Sequence, residues 1–222
     1  MTNEKKWVEG LPSEVAFWDD WLAGRTKYAE DRALRLSSGR AFPWWAKPLI
    51  PAEVNSIRVL DVGAGPVTAL GDLWPGKTVT IVPVDPLAET YQKILDQYAI
   101  EAPVRTTYGV GEKLIEQFGE NSFDFAYACN CLDHSIDPIA CYRQMLAVLK
   151  PGCSLVTFHE ANEGEHQNYE GLHQWNFSVE EGRLIVWNRE GRRDVVQECT
   201  EAQGFVIEGD RNYIKFTMTK VG

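Results

Sequence analysis

Residues 57–66 constrain this chain most. Ile57, Arg58, Val59 and Leu60 are β-prone and lead through Asp61 and Val62 into Gly63-Ala64-Gly65-Pro66. An apolar run that meets two glycines one residue apart is how a buried parallel strand ends in a tight turn. At such a turn the backbone can lie against a ligand, because no Cβ stands in the way. Two glycines alone do not identify that ligand, and a turn between any strand and helix can carry them.

Downstream of this turn the pattern alternates. Residues 57–61 read as a strand, and the turn at 62–66 predicts a short helix ended by Pro75-Gly76. Thr78 to Val84 reads as a second strand closed by Asp85-Pro86. Leu87 to Tyr98 reads as an amphipathic helix with Leu87, Tyr91, Ile94, Leu95 and Tyr98 on its buried side. Residues 104–108, 123–129 and 153–158 read as further strands, and 112–118 as a short helix. A helix opens at Asp137-Pro138, with proline in its first turn, and Lys150-Pro151-Gly152 ends it. This repetition predicts an α/β fold: a Rossmann-like, mostly parallel sheet with helices on both faces.

The flanks read differently. Ser13 is placed to cap a helix bearing Val15, Trp18, Trp21 and Leu22, with Gly24 closing it. A second helix is expected over 26–36, then a stiff connector with Pro43, Trp44, Trp45, Pro48 and Pro51. Residues 1–50 thus form a helical cap, whose five tryptophans are expected to pack rather than bind. Residues 57–160 form the core and 161–193 an insert, with 183–187 and 192–196 paired as a β-ribbon. Residues 194–222 supply a helix ending near Gln203-Gly204 and two strands, 205–208 and 213–219, joined through Gly209-Asp210. All of this makes one domain.

Composition narrows the partners. A formal charge of -10 argues against nucleic acid or an anionic membrane as the main partner. No apolar run is long enough to span a bilayer, and no secretory h-region follows the polar first six residues. Five cysteines, with Cys129 and Cys131 lacking a second matching pair, indicate neither a disulfide framework nor a zinc site. A reduced, cytoplasmic setting is the expectation.

Taken together, VLDVGAGP (59–66), VDP (84–86), ENSFDFAYACNCLDH (120–134), DP (137–138) and LKPG (149–152) resemble a class I S-adenosylmethionine-dependent methyltransferase. The resemblance covers 57–160 and, by position, the last two strands. It implies a seven-stranded sheet with one antiparallel strand and S-adenosyl-L-methionine as cofactor. By that resemblance Gly63 and Gly65 lie against the cofactor and Asp61 stands near its ammonium. Asp85 and Pro86 meet the ribose, and Asn130, Gly111 and Glu112 complete the cleft. Two departures stand out: Val67 replaces the usual third glycine, and Val110 replaces a frequent adenine-binding aspartate.

His134 is the candidate general base, since it follows the fourth strand at the carboxyl edge where such sheets bind ligands. Asp133 and His159 are candidate partners in catalysis; a capping or structural role for His134 is the alternative. Asn130, Asp133 and His134 are also similar to the E-x-x-E-H metal motif of some O-methyltransferases, which would imply a magnesium-like ion. His166, Tyr169, His173, Trp175 and Trp187 in the insert suit a small polar acceptor, sugar-like or aromatic. The expected activity is methyl transfer to a hydroxyl. A nicotinamide dehydrogenase fits less well, given Asp61 and the missing third glycine. A non-catalytic protein that binds S-adenosylmethionine stays open.

Overall fold

The computed structural model describes residues 2–209 and 212–222. Asp210, expected to help join the last two strands, lies outside the described residues. One sheet has seven strands: β1 (Ser56–Val62), β2 (Thr78–Asp85), β3 (Thr107–Tyr108), β4 (Phe123–Cys129), β5 (Leu149–Glu160), β9 (Ala202–Gly209) and β10 (Tyr213–Lys220). Their spatial order is β3-β2-β1-β4-β5-β10-β9. The first five are parallel, and β10 runs antiparallel to both β5 and β9. The antiparallel strand expected at the end therefore lies one place in from the edge.

Alternation along β4 explains how both faces are covered. Phe125 and Tyr127 meet Phe42, Ala46 and Trp45 of the N-terminal segment, while Ala126 and Ala128 face the opposite layer. That layer includes α5 (Pro138–Val148), whose Tyr142, Met145 and Leu146 are fully buried. Asp137 caps α5 by accepting from the Ile139 and Ala140 amides, as the Asp-Pro pair predicts. The carboxyl ends of β1, β2 and β4 thereby share one edge of the sheet.

Five sequence expectations change in the fold. Helix α1 runs over Asn3–Leu22, so Ser13 is interior, and the cap is Thr2. Pro12 lies inside it, and the Ser13 hydroxyl donates to the Gly10 carbonyl at 2.7 Å. A stretch of 20 residues absorbs the broken ladder bond. The shorter helix α2 spans Ala29–Leu36.

The second change is larger: no helix follows the glycine turn. Residues 63–77 are irregular because Arg40 takes the carbonyls that a helix would use. Its guanidinium donates to the carbonyls of Thr68, Ala69 and Leu70 at 2.7–2.9 Å. The Thr68 hydroxyl is likewise drawn off to Asp61. Helix α3 (Ala88–Gln97) and the short α4 (Leu114–Phe118) form where expected.

The insert is the third. It holds a single helical turn, α6 (Glu163–His166), and a three-stranded sheet rather than a ribbon: β6 (Asn176–Glu180), β7 (Arg183–Trp187) and β8 (Arg192–Asp194). Beyond it, only the turn α7 (Val195–Glu198) is helical. Asp194 ends β8 by turning its carboxylate onto the Val196 and Gln197 amides, and this caps α7. The helix expected up to Gln203-Gly204 is absent because β9 starts at Ala202 and pairs with β10. Finally, the third strand shrinks to two residues.

Candidate active site

Gly63 and Gly65 both take φ of 65°, the left-handed region where other residues are strained. The Gly63 and Ala64 amides bond the Val84 carbonyl at 2.9 and 3.1 Å, which ties the turn to the end of β2. Asp85 ends that strand and closes the turn from the other side. Its two oxygens accept from the Gly65 amide at 3.1 Å and the Leu87 amide at 2.8 Å. Burial pushes the Asp85 carboxyl up to about 6 despite those two amides. Asp61 is also buried, and burial lifts it to about 7 although the Thr68 hydroxyl pulls it down. Two acids near neutrality therefore face one glycine turn, an arrangement suited to a cationic ligand.

Side chains from elsewhere cover this turn. A Cβ on Gly63 would stand 2.5 Å from Cys131 Cβ, and one on Gly65 would stand 2.6 Å from the Trp18 ring. Trp18 comes from α1, packs edge-on against Tyr91 of α3, and donates from Nε1 to Glu14 at 2.7 Å. The N-terminal cap thus lies against the glycine turn, although the sequence reading expected its tryptophans mainly to pack. Glu14 and Trp18 stand four residues apart, the spacing of neighbours on one helix face. That spacing was the available signal.

A second group forms just past β4, on a 3-10 turn over Leu132–His134. Asp133 Oδ2 accepts from His173 Nδ1 at 2.9 Å and lies 3.3 Å from His134 Nε2. The two imidazole nitrogens are 3.0 Å apart. Glu14 Oε2 lies 3.6 Å from the other His134 nitrogen, Nδ1. Burial would raise the Asp133 carboxyl, but His134 and the bond to His173 outweigh it and hold it below its ordinary value. Burial lowers His173 as well, yet the Asp133 bond and charge leave it above its ordinary value. His173 comes from the insert loop, held there by the Gln174 amide, which donates to the Asp133 carbonyl at 3.1 Å. No local pattern tied His173 to Asp133, 40 residues earlier.

The other expected site residues are placed as follows. His159 lies away from this cluster's exposed side, fully buried and stacked on Phe177 at 3.7 Å. It bonds the Tyr142 and Thr157 hydroxyls, and burial presses it down to about 3. It is a neutral packing residue, which corrects its reading as a partner in proton transfer. Asn130 takes a left-handed φ of 45°, and its side-chain oxygen accepts from the Glu160 amide at 2.9 Å. Asn130 is thus engaged at the Glu160 amide, and among the Asp, Glu, His and Cys side chains of the described residues the metal-sized group is Asp133, His134 and His173. Glu112 accepts from the Ile136 and Asp137 amides ahead of α5, and Gly111 packs toward Cys141. Pro86 sits half-buried between Asp85 and Leu87, and His166 is exposed on the insert.

Comparison with known proteins identifies the family. A family model described as a methyltransferase domain matches residues 28–208. A curated relative, phosphoethanolamine N-methyltransferase 2 of Caenorhabditis elegans, is 25% identical over 111 residues. That match spans 50% of this chain and 25% of the relative's length. Among solved structures, a Haloferax volcanii protein described as a methyltransferase, in complex with the Trm112 methyltransferase activator, aligns with a TM-score of 0.58 at 16% identity. The alignment covers 92% of this chain and 98% of that one. Haemonchus contortus phosphoethanolamine N-methyltransferase 2 bound to S-adenosyl-L-methionine aligns with a TM-score of 0.57 at 14% identity, over 93% of this chain and 56% of that one. At such identities the structures establish the fold.

Proposed function

Because the chain belongs to the methyltransferase-domain family, we propose that it moves a methyl group from S-adenosyl-L-methionine to a hydroxyl of a small polar acceptor, with His134 as general base. The observation that carries this reading is the cluster of Asp133, His134, His173 and Glu14 beside the glycine turn. S-Adenosyl-L-methionine supplies an electrophilic methyl group on a sulfonium. The donor set fits it: Asp61 and Asp85 offer carboxylates on either side of the left-handed Gly63–Gly65 turn. Asp61 would accept from the ammonium, and Asp85, with one lone pair left on each oxygen, from the ribose hydroxyls.

When bound, S-adenosyl-L-methionine would supply the methyl group to the acceptor oxygen, its sulfur taking the electrons of the bond that breaks. Alignment supplies most of the acceleration. The hydroxyl proton would pass to His134 Nδ1, while His173, 3.0 Å from Nε2, and Asp133, 3.3 Å from it, orient the ring. Glu14, 3.6 Å from Nδ1, then stabilises the imidazolium.

A second reading keeps the site and makes the acceptor an amine. It is favoured by the phosphoethanolamine N-methyltransferases among the similar proteins. Incubating the protein with S-adenosyl-L-methionine and matched alcohol and amine panels, and reading S-adenosylhomocysteine release, decides between them. Turnover only on amines would overturn the hydroxyl reading. A melting temperature unmoved by S-adenosyl-L-methionine and S-adenosylhomocysteine would sink both.

A further inference from the structure

We propose that Asp133, His134 and His173 bind a divalent transition-metal ion of the zinc, iron or manganese kind. Three lone-pair atoms from two separate segments converge here: Asp133 Oδ2, His134 Nε2 and His173 Nδ1, at mutual distances of 2.9, 3.0 and 3.3 Å. Ligands about 2.1 Å from an ion stand about 3.0 Å apart at octahedral angles and about 3.4 Å apart at tetrahedral ones. The triangle falls between the two, so one ion can reach all three atoms from about 1 Å above their plane.

The donor types select the ion. Two imidazoles and one carboxylate suit a transition metal, whereas magnesium takes oxygen ligands. Asp133 is 5% exposed, and among the described residues its ion-pair partners are these two histidines, with no lysine or arginine. Glu14 stands behind His134 at Nδ1, where metal-bound histidines commonly meet an outer carboxylate. The histidine side chains remain 17% and 31% exposed, which leaves a face open to solvent and to an acceptor.

In the metal-free protein the protons on these nitrogens are shared in the His173 Nδ1–Asp133 Oδ2 bond and the contact between the two imidazole nitrogens. Ion binding displaces them, so affinity rises with pH. The inference rests on the acceptor's approach to this cluster but changes the proton's fate. With Nε2 on an ion, His134 Nδ1 would keep its proton, so an ion-bound site would replace the His134 base and would instead lower the pKa of an acceptor hydroxyl.

The test is zinc titration by calorimetry of the full chain stripped by chelator, with cobalt as a spectroscopic substitute. One ion per chain is expected, with micromolar or tighter affinity and a cobalt spectrum free of thiolate bands. His173→Ala and Asp133→Asn should each weaken binding at least tenfold, and His166→Ala should leave it unchanged. In the unaltered chain, zinc should shift the imidazole proton resonances of two of the four histidines. Absence of saturable binding, or binding undiminished in a folded His173→Ala, overturns the site. That failure leaves the His134 base reading standing, since cofactor binding and turnover in chelator are measured separately.

Discussion

The two halves of the site are built in opposite ways. The cofactor half, with Asp61, Gly63, Gly65 and Asp85, comes from the ends of two adjacent parallel strands paired in register from Ser56 with Thr78 to Val62 with Val84. Its key contacts are backbone geometry and buried carboxylates. The acceptor half draws Glu14 from α1, Asp133 and His134 from a turn after β4, and His173 from the insert. Its contacts are side chains on three segments far apart in sequence. A strand-end site is rigid and written locally; an assembled site depends on how the segments dock.

Breaking the cofactor half should have the largest effect. Gly63→Val forces a branched side chain into a φ of 65° and onto Cys131. S-Adenosyl-L-methionine binding should fall at least 100-fold by calorimetry, with a lower melting temperature. Retained affinity would mean the turn does not face the cofactor. His134→Ala should cut turnover about 10²–10⁴-fold and leave cofactor affinity within about twofold, as expected for a residue of the acceptor half. Equal losses in both would join the halves and make His134 structural.

The carboxylates sharpen the contrast through pH. Folding raises Asp61 from 3.8 to about 7, so the folded state holds a proton that the unfolded chain has lost between those values. Stability from this group is complete below about pH 4 and disappears as pH rises through about 7. The unfolding free energy of the native chain, less that of Asp61→Asn, should therefore decline over that window by an order of a few kcal/mol. Denaturant melts at pH 5 and 8 measure it, and a flat difference would refute the buried-acid account. Cofactor affinity should rise over the same window as Asp61 and Asp85 ionise. The smallest effect belongs to Glu14→Gln, which keeps a partner for Trp18 Nε1 but removes the charge beside His134. Turnover should drop a few-fold, with its pH profile shifted and cofactor affinity steady; an unmoved profile would separate Glu14 from His134.

Most of the fold was legible because its signals are local. Alternation marked β4 over Phe123–Cys129 without error, and Asp137-Pro138 marked the start of α5. The missing helix after the glycine turn was not legible, since Arg40 lies about thirty residues upstream of the carbonyls it captures. Strand β6 was missed because Asn176–Glu180 gains its pairing only from β7. His159 misled for a related reason: its place at the end of β5 pointed to the ligand edge, but Phe177 of the insert covers it.

By itself the sequence determined the family and the strand-end turn proposed to hold the cofactor. Strand ends, glycine turns and the acid after β2 are set by backbone sterics and short-range periodicity, which each stretch carries within itself. Only the tertiary structure decided that Trp18 lies over Gly65, that Glu14 faces His134, and that His173 rather than Asn130 meets Asp133. Those contacts join residues 40 to 120 positions apart. They exist because the N-terminal helix buries an apolar face against α3 while the insert packs into the core beside α5 and β10, and no local pattern records where such faces will meet.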